Sequence, residues 1–139
     1  MSKQYNILLV FSPDEGQVLM CLRRKPPYRG KLNFIGGKIE AGESSETAAY
    51  RELWEETGLT LTSIQKILPD SFNCVGITNE KSSVIIGTAE GEFTESTSDE
   101  EEIECRWYTR EEVRRLVESE AFSARVQMFC YFWSMSDRI

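Results

Sequence analysis

Residues 37–59 read GKIEAGESSETAAYRELWEETGL, and this stretch predicts a helix with both ends marked. Ser44 and Ser45 are of the residue types that cap a first helical turn, and good helix formers follow them. Gly58 can take the left-handed conformation that ends a helix. We therefore predict a helix from about Ser45 to Thr57.

Three glutamates on this helix indicate its chemistry. At about 100° per residue, Glu52, Glu55 and Glu56 fall on one face, beside the small Ala48 and Ala49. Like charges three or four positions apart each destabilise a helix by roughly 0.2–0.5 kcal/mol, and the helix dipole disfavours them near the C-terminal end. A divalent cation removes this repulsion, because Mg²⁺ and Mn²⁺ prefer carboxylate and carbonyl oxygens. The alanines would leave room for a phosphate chain above the ions.

The alternative interpretation is an acidic helix face that is merely solvated. Such a face requires neither the Gly36-Gly37 pair before the helix nor Glu43 outside it. Glycines allow close approach of the backbone, so the Gly37 carbonyl could be a further metal ligand. The combination favours a metal site.

The stretch has the spacing GX5EX7REUXEEXGU, where U is a bulky aliphatic residue, with every fixed position filled. It resembles the signature of the Nudix hydrolases, which cleave nucleoside diphosphates linked to another group. The resemblance implies an α/β/α sandwich that holds Mg²⁺ or Mn²⁺ ions against a diphosphate. By position, Arg51 would orient the carboxylates through a bidentate salt bridge, and Glu43 would bond back to the loop and fix its shape.

The resemblance also implies a metal-ligand set and a base. Glu55 and Glu56 would be the principal ligands, joined by the Gly37 carbonyl. Glu52 would be the general base for the attacking water, or would share a metal with it. The expected reaction is hydrolysis of a phosphoanhydride bond.

The residues before the motif resemble the oxidised-purine nucleoside triphosphate hydrolases of MutT type. That resemblance implies that Asn33 hydrogen-bonds the base and that Tyr28 stacks on it. Arg23, Arg24 or Lys38 could hold the distal phosphates. The alternatives are that Asn33 ends a strand, that Tyr28 covers a loop and that the cations are ordinary surface charges.

A (d)NTP cleaved to (d)NMP and pyrophosphate is therefore the expected substrate. An ADP-ribose or nucleotide-sugar pyrophosphatase is the alternative within the same chemistry, and a non-catalytic nucleotide-sensing module is the alternative from another class. The acidic segment 92–104 could supply one more ligand or base, with Asp99, Glu100, Glu101 and Glu102 as candidates.

Composition limits the remaining possibilities. The chain has 139 residues, 40% of them hydrophobic, which predicts one domain over residues 1–139. It contains no histidine, which excludes imidazole catalysis and imidazole metal ligands, and its net charge of −7 disfavours binding to nucleic-acid polymers. No signal peptide or membrane segment is evident, so we expect a cytoplasmic protein, either a monomer or a homodimer.

The four cysteines, Cys21, Cys74, Cys105 and Cys130, are scattered without a CxxC pair. In a cytoplasmic protein this pattern predicts buried, reduced thiols rather than zinc or disulfides.

Alternation and turn residues predict strands at residues 4–11, 17–24, 32–35, 60–68, 71–77, 82–89 and 103–108. Further helices are predicted at residues 110–117 and 121–135. The sum is an α/β fold, a mixed sheet with about three helices in an α/β/α sandwich.

Overall fold

The computed structural model describes residues 4–26, 29–94, 103–119 and 122–137. Within these ranges the chain forms eight strands and three helices. The strands are β1 (Gln4–Phe11), β2 (Gln17–Arg23), β3 (Leu32–Asn33), β4 (Ile35–Lys38), β5 (Thr60–Ile67), β6 (Ser71–Phe72), β7 (Lys81–Glu90) and β8 (Ile103–Thr109). The helices are α1 (Ser45–Thr57), α2 (Arg110–Leu116) and α3 (Ala124–Ser134).

Strand β1 lies at the centre of a mixed sheet. It pairs in parallel with β7 along its whole length, and its first half pairs antiparallel with β4. Strand β2 meets β1 only at the turn between them and then pairs antiparallel with β3 and β8. Strands β5 and β6 pair antiparallel with β7. The predicted mixed sheet is confirmed.

Each face of the sheet carries its own apolar core. Successive side chains of a strand point to opposite faces, so Leu8 and Val10 of β1 pack on the side of α1, together with Leu53. Phe11 points the other way and packs with Trp133 of α3, in a core that also includes residues of α2. The sheet is therefore covered by α1 on one face and by α2 and α3 on the other, which confirms the α/β/α sandwich.

Three predicted elements differ from the observed ones by more than one residue at an end. The strand expected at 32–35 is split into β3 and β4, and the last helix begins at Ala124 rather than at 121. The strand expected at 71–77 stops at Phe72, because the amides of Ile77 and Thr78 both donate to the Cys74 carbonyl and form a turn. Periodicity does not detect that turn, because it treats apolar residues as buried, and the apolar residues of this turn are exposed.

The prediction of four buried, reduced thiols is wrong for three of the cysteines. Cys21 and Cys105 form a disulfide, and Cys74 is exposed, whereas Cys130 is free and buried as predicted. Cys21 and Cys105 lie directly opposite each other on β2 and β8, which places their Cα atoms 4.0 Å apart. They are 84 positions apart in the chain, so the pairing follows from the register of two strands and not from any sequence spacing.

None of the helices in the described ranges is long and apolar enough to cross a membrane.

Candidate active site

Helix α1 begins and ends where its local sequence directs. The Ser44 side chain accepts a hydrogen bond from the Thr47 amide, and Gly58 ends the helix with φ 82°. Ala48 and Ala49 are fully buried against the sheet. They let the helix backbone approach the strands closely, so the expectation that they leave room for phosphates is wrong.

Glu52 is buried between α1 and β4, where its neighbour is a glycine. A Cβ atom on Gly37 would lie 2.6 and 2.8 Å from the two Glu52 carboxylate oxygens, so a side chain at position 37 would displace the carboxylate. In the described part of the chain, Glu52 Oε2 is buried without a hydrogen-bond partner. Burial raises the pKa of Glu52 from 4.5 to about 7, against the opposing effect of Arg51.

Arg51 connects the helix to the loop before it. Its Nε and Nη2 atoms donate to the two oxygens of Glu43 at 2.7 and 2.9 Å, which is a bidentate pair. Its Nη1 donates to Glu55 at 3.2 Å, and Nη2 lies 3.5 Å from Glu52 Oε1. Glu43 also accepts a hydrogen bond from the Glu40 amide at 3.1 Å, which closes the loop. The hydrogen bonds from Arg51 are the largest cause that lowers the pKa of Glu43 to about 2.

Glu55 and Glu56 lie on the exposed side of α1 and line a cavity of about 460 Å³. Within the described ranges, no three acidic or cysteine side chains already converge on one point as a metal site, and Glu55 is hydrogen-bonded to Arg51 instead. The donor set nevertheless fits a hard divalent cation. It offers an unpartnered buried carboxylate oxygen, two further carboxylates on the same helix and a glycine backbone beside them.

The cavity also brings together two of the five predicted substrate-binding residues. Arg23 and Asn33 line it, and the Asn33 side chain accepts a hydrogen bond from the Phe34 amide at 2.9 Å. Lys38 lies exposed at the end of β4, and neither it nor Arg24 is part of the cavity wall. Arg24 Nη2 donates to Glu104 at 2.7 Å. Tyr28 lies outside the described residues, as do Asp99, Glu100, Glu101 and Glu102.

Several other residues of the cavity were not predicted from the sequence. Cys21, Phe34, Ile35, Gly36, Thr94 and Ile103 complete its wall. They come from four separate parts of the chain, and no motif connects them. A signal in the sequence existed only for Gly36, through the Gly36-Gly37 pair, and the structure shows that a Cβ atom there would collide with the Asn6 carbonyl oxygen.

The sequence of this chain is similar to those of several known hydrolases. The chain is 39% identical over 110 residues to an oxidized purine nucleoside triphosphate hydrolase of Danio rerio, covering 77% of this chain and 66% of that protein. It is 34% identical over 115 residues to the protein of the same description from Mus musculus, covering 81% and 69%. It is 35% identical over 116 residues to an ADP-ribose pyrophosphatase of Bacillus subtilis, covering 81% and 62%. The chain thus spans about two thirds of the length of these relatives.

Solved structures show the same fold. A structure from work on MutT of Aliivibrio salmonicida and Vibrio cholerae superposes with a TM-score of 0.68 at 23% identity, covering 96% of this chain and 99% of that one. The MutT protein of Bacillus halodurans superposes with a TM-score of 0.63 at 26% identity, covering 99% and 85%. The NUDIX domain model matches residues 2–128, and this chain therefore belongs to the NUDIX domain family.

Proposed function

We propose that this protein is a metal-dependent pyrophosphohydrolase that cleaves a (d)NTP to the (d)NMP and pyrophosphate. The observation that carries the proposal is the buried Glu52 carboxylate, with one unpartnered oxygen beside the backbone of Gly37. Such a group lowers the stability of the fold, because burying a carboxylate oxygen without a hydrogen-bond partner costs free energy. It suits a site where a cation and a reacting water complete the arrangement.

Glu52, Glu55, Glu56 and the Gly37 carbonyl would hold Mg²⁺ or Mn²⁺. A bound ion would lower the pKa of water and offset the negative charge of the phosphates. Glu52 would accept a proton from the attacking water. The water oxygen would bond to phosphorus as the bridging P–O bond breaks. Arg51 would keep the carboxylates of α1 oriented through its bonds to Glu43 and Glu55.

Arg23 and Asn33 are the proposed substrate contacts within the cavity. Arg23 would bind the distal phosphates and neutralise part of their negative charge, and Asn33 would hydrogen-bond the base. Tyr28 remains a proposed stacking surface and Lys38 a proposed phosphate contact, the latter from the rim beyond the cavity wall. The vertebrate relatives described as oxidized purine nucleoside triphosphate hydrolases support a purine triphosphate.

A second candidate substrate is ADP-ribose or a nucleotide sugar. The similarity to the Bacillus subtilis protein described as an ADP-ribose pyrophosphatase favours it. This alignment covers 116 residues, nearly the same length as the alignments with the two vertebrate relatives. A nucleotide-sensing module without catalysis is a third candidate. It would retain binding with no turnover.

A substrate panel separates these candidates. Purified protein is incubated with normal and oxidised (d)NTPs, ADP-ribose and nucleotide sugars, with Mg²⁺ or Mn²⁺ between pH 7 and 9.5. We expect NMP and pyrophosphate from a triphosphate, whereas AMP and ribose 5-phosphate would identify the second candidate. Thermal stabilisation by a nucleotide without any product would support the sensing module and count against catalysis.

We further propose a cytoplasmic protein that acts on free nucleotides, as a monomer or a homodimer. The net charge of −7 supports a small substrate rather than a nucleic-acid polymer. Cell fractionation and light scattering test the location and the oligomeric state.

A further inference from the structure

Asn6 is a polar residue in an apolar row. Leu8 and Val10, two and four positions later in β1, point to the α1 side of the sheet and belong to its core. Asn6 continues the same row and is only 2% exposed. An apolar side chain is expected at such a buried position. A buried amide is normally found only where it forms specific hydrogen bonds.

Both ends of the Asn6 amide are bonded, and to different elements. Its Oδ1 accepts a hydrogen bond from the Gly37 amide in β4 at 3.2 Å. Its Nδ2 donates to the carbonyl of Ser45, the first residue of α1, at 3.4 Å. One side chain therefore joins the residues on either side of the segment 38–44, which separates Gly37 from the helix.

A neighbouring residue holds the same end of the helix. Ser83 of β7 lies beside Asn6 in the parallel β1–β7 pair and is buried. The Ser45 hydroxyl donates to the Ser83 hydroxyl at 2.9 Å. Asn6 and Ser83 thus form a small polar patch beneath the start of α1, but only Asn6 also contacts Gly37 within the described residues.

We propose that Asn6 is a positioning residue that sets the spacing between the Gly37 carbonyl and the carboxylates of α1. This inference rests on the proposed function, because it assigns those groups to one metal site. The amide prepares the site before any ion binds, as outer-shell partners of metal ligands do elsewhere. Asn6 is not among the residues that line the cavity with Glu55 and Glu56.

A purely structural role is the alternative, and Asn6→Leu separates the two. Leucine has a similar size but forms neither hydrogen bond. Val126→Ala is the matched control, because it removes buried groups from the core on the opposite face of the sheet. Calorimetric titration of the full chain with Mn²⁺ alone measures ion affinity for the wild type and both variants, and circular dichroism confirms folding.

We expect Asn6→Leu to raise the Mn²⁺ dissociation constant by about 10-fold or more, as loss of an outer-shell partner does. We expect the control to retain the wild-type affinity at a comparable loss of stability. Equal affinities in Asn6→Leu and wild type would overturn this inference and leave the proposed function standing. Absence of Mn²⁺ uptake by the wild type alone would overturn this inference. Absence of uptake with a non-cleavable nucleotide analogue also present would overturn the proposed function as well.

Hydrogen exchange decides the matter if Asn6→Leu does not fold. In the metal-free wild type, the Gly37 amide should exchange at least about 10-fold more slowly than the amides of residues 41 and 42 in the loop, because it is bonded to a buried partner. If the Gly37 amide exchanged at the rate of those loop amides, Asn6 would not hold Gly37 in place in the metal-free protein, and the inference would be overturned.

Discussion

Glu52 and Gly37 form a pair in which each residue depends on the identity of the other. The glycine leaves space for the carboxylate, and the carboxylate remains buried with one oxygen unpartnered within the described chain. Burial disfavours the charged form and raises the pKa of Glu52 to about 7. A group with this pKa can accept a proton from water near neutral pH, which is the property that a general base requires.

Removing the Glu52 charge should abolish most of the activity while the fold persists. For Glu52→Gln we expect kcat to fall by at least about 10²-fold, because the amide cannot accept the proton. Steady-state kinetics on the best substrate of the panel measure the loss. Glu46→Gln is the control, since Glu46 lies exposed in the first turn of the same helix. Near-normal turnover of Glu52→Gln would rule out its role as base.

The two adjacent glycines should respond differently to an added methyl group. In Gly36→Ala the new Cβ would collide with the Asn6 carbonyl, which belongs to the backbone of a central strand and cannot move away. In Gly37→Ala it would meet the Glu52 carboxylate at 2.6 Å, which is the end of a flexible side chain.

We therefore expect Gly36→Ala to lower the free energy of unfolding by about 1–3 kcal/mol or more, the typical cost of overpacking. We expect Gly37→Ala to fold and to lose about 10²-fold in kcat, because the proposed base is displaced. Urea denaturation and kinetics on both variants test this contrast. Full activity in Gly37→Ala would show that the position of Glu52 is unimportant for turnover.

Among the secondary-structure elements, β2 and β8 are joined by the only disulfide found in the described part of the chain. Cys21 faces Asn33 across one edge of β2 and Cys105 across the other. Cys21 also lines the cavity. The disulfide therefore holds β8 against the strand that forms one wall of the proposed substrate site.

Reduction of the Cys21–Cys105 disulfide should destabilise the protein by about 2–4 kcal/mol, because the link closes a long loop in the unfolded chain. Urea denaturation with and without dithiothreitol, and of the double variant Cys21→Ser/Cys105→Ser, measures the effect. Cys74→Ser is the control, since Cys74 is exposed and free. An intact mass that shows four free thiols in protein purified without reductant would contradict the pairing.

At the scale of the whole molecule, two glutamates of the site make opposite contributions to stability as pH changes. Glu43 has its pKa lowered from 4.5 to about 2, so its contribution is present above 4.5 and is lost as pH falls toward 2. Glu52 has its pKa raised from 4.5 to about 7, so the folded state retains a proton that the unfolded state releases above 4.5. Its contribution therefore declines as pH rises from 4.5 to about 7.

For the metal-free protein we expect Glu52 to lower the free energy of unfolding by roughly 3 kcal/mol between pH 4.5 and 8, an order-of-magnitude figure from the pKa shift. Glu52→Gln should lose this slope and be more stable than wild type at pH 8 in EDTA. Urea denaturation across pH measures both proteins. Parallel curves for the two would contradict the raised pKa.

The local sequence determined helix α1 and the types of residue available for chemistry. The capping serine, the helix formers and Gly58 act within one or two turns, so the predicted bounds of Ser45–Thr57 are those observed. The spacing of the motif likewise indicated the family, which the NUDIX match confirms. Strand alternation located most of the sheet for the same reason, because period-two burial is a property of neighbouring residues.

Only the tertiary structure decided the environments of those residues. The pKa of Glu52 depends on burial against β4, the Cys21–Cys105 link depends on the register of β2 with β8, and the amide of Asn6 depends on the placement of α1 over the sheet. The cavity wall likewise combines residues from distant segments. Each of these properties arises from contacts between elements that come together only when the chain folds, and neither local periodicity nor residue type specifies the burial and register of such contacts.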